Sequence, residues 1–180
     1  MTEQKVLLNA KEVNIILHRL TTQLIEKHED FSNTVLIGIQ PRGAFLAKRI
    51  KSLLEDFYNI SDVKLGLLDI TFYRDDFRRG DKTLTANSTT IDFLIEDKNV
   101  IFIDDVLYTG RSISAALSAM QSFGRPKDVE LLTLIDRRFS RHLPIQPNYR
   151  GRQVDVINQE KVSVIWAENE GEDAVYLISK

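Results

Sequence analysis

The chain has 180 residues, 43 % of them hydrophobic, and a formal net charge of −2 at pH 7. This composition predicts one globular domain, residues 1–180, and excludes a protein that is basic over its whole surface. The absence of cysteine excludes disulfides and thiolate metal sites. No apolar run approaches about eighteen residues and no signal-peptide pattern is present, so we expect a cytoplasmic protein without a membrane partner.

The first half of the chain predicts two helices and two strands. Asn9 and Glu12 form the pattern of a capping box. The helix that follows carries an apolar stripe of Val13, Ile16, Leu17, Leu20 and Leu24. We then expect a strand at 35–39, a helix at 44–56 and a strand at 63–72. The polar stretch 73–88 lacks apolar periodicity and indicates a loop.

The most informative segment covers residues 100–112. Residues 100–103 are β-formers that predict a buried strand, and a helix begins near Arg111 because Ile113, Ala116, Leu117 and Met120 recur at helical spacing. Gly110 allows the sharp turn between them. The amides of such a loop and of the helix N-terminus bind phosphate, and the hydroxyls of Thr109 and Ser112 add donors.

Two carboxylates, Asp104 and Asp105, stand beside this loop. They would repel a phosphate but suit ribose hydroxyls or a divalent cation, so the segment predicts a site for ribose 5-phosphate. The Mg²⁺-binding strand of a P-loop ATPase has a similar pattern. Residues 38–43 have the glycine spacing of its phosphate-binding motif, but Ala44 and Phe45 replace the required Lys and Ser/Thr. A third interpretation is an acid pair that only ends a strand and caps a turn.

The second half of the chain adds further strands and an uneven charge. Apolar runs predict strands at 129–135, 162–167 and 175–178. Alternating strands and helices predict an α/β fold with a mostly parallel central sheet flanked by helices, whose ligands bind beyond the carboxyl ends of the strands. Residues 137–152, the basic block, contain five arginines and no acid, so this block carries +5 and the rest of the chain −7. Such a block is typical of phosphate or RNA binding, and equally of a solvated surface loop.

Residues 104–111, Asp-Asp-Val-Leu-Tyr-Thr-Gly-Arg, resemble the 5-phosphoribosyl-1-pyrophosphate (PRPP) signature of type I phosphoribosyltransferases, and most of all that of the PyrR family. Further segments resemble the same family: residues 38–43, 69–76, 134–137, 143–145 and 160–162. PyrR proteins are uracil phosphoribosyltransferases, and many also regulate pyrimidine genes by binding messenger RNA. The resemblance implies the type I phosphoribosyltransferase fold with a small hood formed by the terminal segments.

The resemblance also implies a reaction and its partners. Uracil and PRPP would give UMP and pyrophosphate, with Mg²⁺ as cofactor. UMP or UTP and the pyrimidine leader mRNA would be regulatory partners, and the protein would be a homodimer or a larger even homo-oligomer. Two alternatives stay open: a phosphoribosyltransferase for another base, purine or orotate, and an RNA-binding regulator with little catalytic activity.

The resemblance assigns roles residue by residue. The catalytic set is Asp104, Asp105, Arg42 and Arg74, with Asp104 and Asp105 holding ribose hydroxyls directly or through Mg²⁺ or water. The 5′-phosphate is bound by Val106, Leu107, Tyr108, Thr109, Gly110, Arg111 and Ser112. Pyrophosphate faces Pro41, Arg42 and Gly43. A mobile loop at about 73–88 brings Arg74 to pyrophosphate, with Arg78, Arg79 and Lys82 as weaker candidates. The uracil pocket includes Arg137 and Val162. The candidate RNA-binding residues are Arg19, Arg141, Arg150 and Arg152.

Two segments depart from the family pattern. Pro41 stands where PyrR proteins commonly have threonine, so one amide donor is missing and the Gln40–Pro41 bond can be cis. Residues 136–145 are one longer than the family's segment and lack its glycine. This second departure bears on the position of the base pocket and on RNA binding.

Overall fold

A five-stranded parallel sheet forms the centre of the computed structural model, which describes residues 3–74, 86–156 and 160–179. In chain order the elements are β1 Glu3–Leu8, α1 Ala10–His28, β2 Thr34–Ile39, α2 Arg42–Ser52, β3 Lys64–Leu68, β4 Asn99–Leu107, α3 Arg111–Met120, β5 Asp128–Arg138, β6 Tyr149–Asp155, β7 Lys161–Ile165, α4 Ala167–Glu170 and β8 Ala174–Ser179. The strand order is β3-β2-β4-β5-β6 and every pair is parallel. The predicted α/β fold is therefore confirmed.

Helices cover both faces of this sheet. On one face, α1 and α2 pack against β2, β4 and β5, and the predicted stripe of α1 supplies Val13, Leu17, Leu20 and Leu24 to the core. On the other face, α3 packs against β2 and β4 through Ile113, Ala116 and Met120. The side chains of β2 are buried on both faces, as the apolar run predicted.

The two ends of the chain form a second, antiparallel sheet of order β1-β8-β7, called the hood below. Arg49 of α2 fastens the hood to the main sheet. Its guanidinium donates to Glu168 and Asp173 at 2.7 Å and lies 4.7 Å from the ring centre of the buried Trp166. The predicted hood of terminal segments is confirmed.

A buried ionic cluster lies where β5 begins, at the sheet edge opposite the carboxyl ends. Glu130 accepts hydrogen bonds from Tyr149 Oη at 2.6 Å and from Lys27, and its Oε2 lies 2.9 Å from His28 Nε2. Burial raises the pKa of Glu130, but the contacts with Lys27, Tyr149 and His28 outweigh it and hold that pKa below its usual value. The cluster joins α1 to β5 and β6 and takes no part in the cavity described below.

Several elements differ from the sequence expectations. β4 continues to Leu107 because its pairing with β5 extends to Asp136, so the two acids lie inside the strand and not after it. β3 ends at Leu68, and a 3₁₀ turn, Thr71–Tyr73, replaces the predicted end of that strand. The second helix begins at Arg42 and gives way to a π-helical turn, Leu53–Phe57, at its C-terminal end.

The remaining differences concern edge strands and short elements. β6 begins inside the basic block, and its charged side chains gave no strand pattern. β1 also was not predicted. β7 stops at Ile165 because α4 begins at Ala167. Leu117 belongs to the exposed side of α3, not to its core stripe. Among residues 3–74, 86–156 and 160–179, no helix is long and apolar enough to cross a membrane.

Candidate active site

A cavity of about 590 Å³ opens at the carboxyl ends of the parallel strands. It is lined by Arg74, Asp104, Val106, Leu107, Tyr108, Thr109, Gly110, Arg111, Ser112 and Ile113. Nine of these ten residues were predicted for the PRPP site, and they reach it from β4, from the N-terminus of α3 and from the turn after β3. The structure thus brings these predicted residues together around one space.

Residues 106–112, called the phosphate loop below, are shaped to bind an anion. Gly110 adopts φ +90°, a left-handed conformation that lets α3 begin at Arg111. The first amides of α3 have no partner within the helix and, with the helix dipole, favour a negative charge. The Thr109 hydroxyl accepts from Arg111 N at 3.3 Å, which holds the turn closed.

Residues 136–145, the segment that departs from the family pattern, form hydrogen bonds with the phosphate loop. The carbonyl oxygen of Thr109 accepts from the amides of His142 and Leu143, at 2.9 and 3.2 Å. Arg141 donates to the carbonyl of Tyr108 and to Asp136. Arg141, proposed from the sequence as an RNA contact, therefore joins the phosphate loop to the end of β5.

Asp104 and Asp105 lie next to the phosphate loop but in different surroundings. Asp104 lines the cavity, and its Oδ1 accepts from the amide of Asp105 at 2.9 Å. Asp105 is buried, and its Oδ1 accepts from the amide of Val106 at 2.8 Å. Burial, followed by the charge of Asp105, raises the pKa of Asp104 well above its usual value. Burial also raises the pKa of Asp105, although Arg42 partly opposes this rise.

This pair of acids fits a Mg²⁺ ion that is shared with a substrate. Mg²⁺ typically binds one or two carboxylates and completes its shell with water and phosphate oxygens. Within the described ranges, no group of three or more His, Cys, Asp or Glu side chains could hold a metal. A bound cation would offset the repulsion between these two neighbouring carboxylates, whose pKa values are raised. Asp104 is the one that lines the cavity.

The residues predicted for pyrophosphate lie where the neighbouring strand β2 leads into α2: Pro41 precedes the helix, and Arg42 and Gly43 are its first two residues. The Gln40–Pro41 bond is cis. Gly43 packs directly on β4, since a Cβ there would lie 2.4 Å from the Ile103 carbonyl oxygen and 3.0 Å from Asp104 Cα. Arg42 donates to the carbonyl of Val164 in the hood and lies 3.6 Å from Glu170. Arg42 therefore stands between the acids and the hood.

Of the two residues predicted for the uracil pocket, Arg137 contacts Glu160, which directly precedes the hood strand β7, and Val162 lies in that strand. Arg137 is buried, its guanidinium carbon lies 3.9 Å from the ring centre of Tyr108, and Nη2 donates to the Glu160 carbonyl at 3.2 Å. Its Nε is buried and has no hydrogen-bond partner among the residues that the structure describes. Val162 is buried in β7, two residues from Glu160. Within the basic block Arg137 is thus a core residue and not part of a solvated loop.

The other RNA candidates gather on a different face. Arg19 of α1 donates to the carbonyls of Arg150 and Gly151, and Arg152 donates to the Leu7 carbonyl at 2.6 Å. Arg150 lies 3.5 Å from Asp136. Arg19, Arg150 and Arg152 share a surface along α1 and β6. The loop candidates Arg78, Arg79 and Lys82, and most of the predicted loop at 73–88, lie outside the described residues.

Sequence reasoning gave no role to Asp136. Its Oδ1 forms an ion pair with Arg141 Nη2 at 2.5 Å, and its Oδ2 lies 3.5 Å from Arg150 Nη1. Sequence reasoning also missed Asp69, a buried acid at the end of β3. Asp136 directly follows the predicted strand 129–135, and that position was the available signal, because strand ends meet at the ligand edge of a parallel sheet. Asp69 gave no such signal, because it lay inside the predicted strand 63–72 and follows β3 only in the structure.

Comparisons with known proteins agree with this geometry. The phosphoribosyl transferase domain family matches residues 3–167. The chain is 41 % identical over 175 residues to Bifunctional protein PyrR of Desulfosudis oleivorans, covering 97 % of this chain and 96 % of that one. With Bifunctional protein PyrR of Clostridium novyi it shares 38 % identity over the full length of both. A hypoxanthine phosphoribosyltransferase from Staphylococcus aureus shares the fold, with a TM-score of 0.64 at 21 % identity, over 84 % of this chain and 77 % of that structure.

The chain therefore belongs to the phosphoribosyl transferase domain family, and its enzyme class is that of the pentosyltransferases. Within that family it groups with the PyrR proteins. The predicted family and enzyme class are both confirmed.

Proposed function

We propose that the protein transfers ribose 5-phosphate from PRPP to uracil, giving UMP and pyrophosphate. The observation that carries this proposal is one cavity lined by both Asp104 and the phosphate loop. A ribose 5-phosphate carries a diol and a phosphate only a few ångströms apart, and these groups complement the carboxylate and the loop. The likeness to PyrR proteins over nearly the whole chain supports uracil as the acceptor.

The reaction needs positioning and electrostatics more than covalent chemistry. As the bond from C1′ to pyrophosphate breaks, positive charge grows on the ribose and negative charge on the leaving group. Asp104, lining the cavity, is placed to favour the cationic ribose, and Arg42 and Arg74 would neutralise the departing pyrophosphate. The phosphate loop fixes the sugar so that C1′ stays in line with the base.

Asp104, with Asp105 beside it, would hold Mg²⁺ directly or through water. Bound there, the ion would supply charge neutralisation to the oxygens of pyrophosphate and ribose. The uracil ring would lie near Arg137 and Val162, where the buried Nε of Arg137 has no acceptor within the described part of the chain. We further propose that the protein acts in the cytoplasm as a homodimer or a larger even assembly, as the PyrR resemblance implies.

The test is a base panel with the purified protein, PRPP and Mg²⁺, in which pyrophosphate release is followed with uracil, hypoxanthine, guanine and orotate. Uracil should support release, with UMP as the second product. Release with a purine or with orotate, and none with uracil, would refute the assignment of the base. Removal of Mg²⁺ with a chelator should abolish turnover, and added Mg²⁺ should restore it.

A second function, nucleotide-responsive binding of pyrimidine leader mRNA, is favoured by the surface shared by Arg19, Arg150 and Arg152. Guanidinium groups clustered on one face suit RNA phosphates. UMP or UTP in the cavity would change the affinity for RNA only if the nucleotide-bound protein and the nucleotide-free protein bind RNA with different affinities.

RNA binding is best tested through its salt dependence. Affinity for the pyrimidine leader RNA should fall with rising salt, and Arg150→Ala should reduce the logarithmic slope by about 1 if the residue neutralises one phosphate. The matched control is Arg125→Ala, an exposed arginine on another surface. Equal affinity for the leader and for an RNA of random sequence would remove the regulatory claim.

A further inference from the structure

Asp69, the buried acid that follows β3, connects two distant parts of the chain. Its Oδ1 accepts from the amide and the hydroxyl of Thr71, at 3.1 and 2.6 Å. Its Oδ2 accepts from the amide of Asn87 at 3.0 Å. One carboxylate therefore binds the segment before residue 75 with one oxygen and the segment after residue 85 with the other.

Neighbouring contacts extend this connection to the pyrophosphate side of the site. The amide of Asp69 donates to Thr89 Oγ1 at 3.0 Å. Gln40, directly before Pro41, donates from its side chain to the Ser88 carbonyl at 2.6 Å and from its amide to the Leu68 carbonyl at 2.9 Å. The end of β3, residues 87–89 and Gln40, which directly precedes the residues predicted for pyrophosphate, thus form one hydrogen-bonded unit.

A short turn joins Arg74 to this unit. The turn Thr71–Tyr73 begins two residues after Asp69, and Tyr73 N donates to the Ile70 carbonyl at 3.0 Å. Arg74 follows the turn directly and lines the cavity. The turn is short, and its residues Phe72 and Tyr73 are exposed. The Asp69 carboxylate is a buried group that binds the start of this turn through Thr71.

We propose that Asp69 is a positioning residue for the transfer reaction: it touches no substrate and acts by holding Arg74 against the pyrophosphate side of the cavity. This inference rests on the proposed function, since it takes Arg74 as a pyrophosphate contact. A carboxylate is required because both of its oxygens are engaged as acceptors by two separate segments. Asn at this position would turn its NH₂ group, itself a donor, toward the donors of one of the two segments.

The experiment is a double-mutant cycle between Asp69 and Arg74, measured as kcat/KM for PRPP and as the Kd of Mg²⁺-pyrophosphate. Arg74→Ala should lower kcat/KM by about 10²–10³-fold, and Asp69→Ala by about 10–10²-fold. Because Asp69 acts through Arg74, the double variant should lose no more than Arg74→Ala alone. If instead the two losses multiply, Asp69 does not act through Arg74 and the proposal is wrong.

Two milder variants keep the test decisive if Asp69→Ala does not fold. Asp69→Asn keeps the shape of the side chain, and Thr71→Val removes only the hydroxyl that donates at 2.6 Å. Both should raise KM for PRPP and the Kd of Mg²⁺-pyrophosphate while leaving KM for uracil unchanged. A loss of thermal stability without either change would show a purely structural role and overturn the proposal.

The control is Asp92→Ala, which removes an exposed acid five residues beyond Asn87 and should match the wild type. Failure of the two proposals can be told apart. A wild-type protein that does not use uracil contradicts the proposed base, whereas the pyrophosphate-binding cycle still tests Asp69.

Discussion

Replacing Gly110 by alanine tests the phosphate loop, because the chain offers a matched control at Gly171. Gly110 has φ +90° and Gly171 has φ +84°, so an alanine pays a similar conformational cost at both. The two differ in their surroundings. A Cβ on Gly110 would lie 3.3 Å from Ile145 and 3.4 Å from Leu143, whereas nothing lies within 4 Å of one on Gly171.

The left-handed conformation costs an alanine roughly 1–2 kcal/mol. Both variants should therefore lose about 1–2 kcal/mol in the free energy of unfolding, and Gly110→Ala should lose somewhat more because its Cβ contacts are tight. The phosphate loop can relieve its strain only by moving amides that bind phosphate. If most of that strain appears as weaker binding, KM for PRPP rises about tenfold, since about 1.4 kcal/mol corresponds to one order of magnitude.

The assay combines urea unfolding with steady-state kinetics on both variants. Gly171→Ala should keep the wild-type KM for PRPP while losing stability, and Gly110→Ala should lose both. Equal KM values for the two variants would show that the geometry of residues 106–112 does not matter for PRPP, and the phosphate-loop assignment would be refuted.

Three further predictions concern charged groups. Arg42→Ala should lower kcat by about 10²–10³-fold, as for loss of one charge-stabilising donor, with the exposed Arg125→Ala as control; an unchanged kcat would remove Arg42 from the catalytic set. Burial and the charge of Asp105 raise the pKa of Asp104 in the folded protein. The folded protein therefore loses stability as pH rises from the pKa of Asp104 in the unfolded chain, near 3.8, through its higher pKa in the folded protein. Asp104→Asn should therefore raise the unfolding free energy of the metal-free protein at pH 7, with no gain near about pH 3. The same variant should have a lower kcat/KM. An unfolding free energy at pH 7 below that of the wild type would contradict this prediction. The pKa of Glu130 is held below its usual value, so the stability it contributes is present at neutral pH and is lost as pH falls through the folded value. Glu130→Gln should lose about 1.5–3 kcal/mol of unfolding free energy at pH 7 and keep the wild-type kcat/KM, which urea unfolding and the base assay would check.

The sequence predicted those parts of the fold whose signal is local. The capping box of Asn9 and Glu12 is present with both hydrogen bonds, at 3.0 and 2.9 Å. The apolar runs of β2 and β4 predicted buried strands correctly, because a strand covered on both faces has few polar residues. Segment 104–112 supplied eight of the ten residues that line the cavity, since they occur close together in the sequence, and Arg74 was predicted separately from the loop after the second strand.

The sequence could not reveal contacts that depend on the tertiary arrangement. β6 carries Arg150 and Arg152 on a sheet edge, so its composition resembles a loop and its strand pairing with β5 depends on the neighbour. Asp69 accepts a hydrogen bond from the amide of Asn87, eighteen residues away in the sequence, and no periodicity in the sequence indicates this partner. Arg137 is buried because Tyr108 and the segment that precedes the hood strand β7 pack against it. The arginine-rich sequence around it does not indicate either contact.

A crystal structure of the protein with UMP would test the central claim most directly. The account predicts the 5′-phosphate against the amides of residues 109–112 and the ribose hydroxyls at Asp104 and Asp105, directly or through a Mg²⁺ ion. A phosphate bound elsewhere, or a ribose that neither carboxylate reaches, would contradict it.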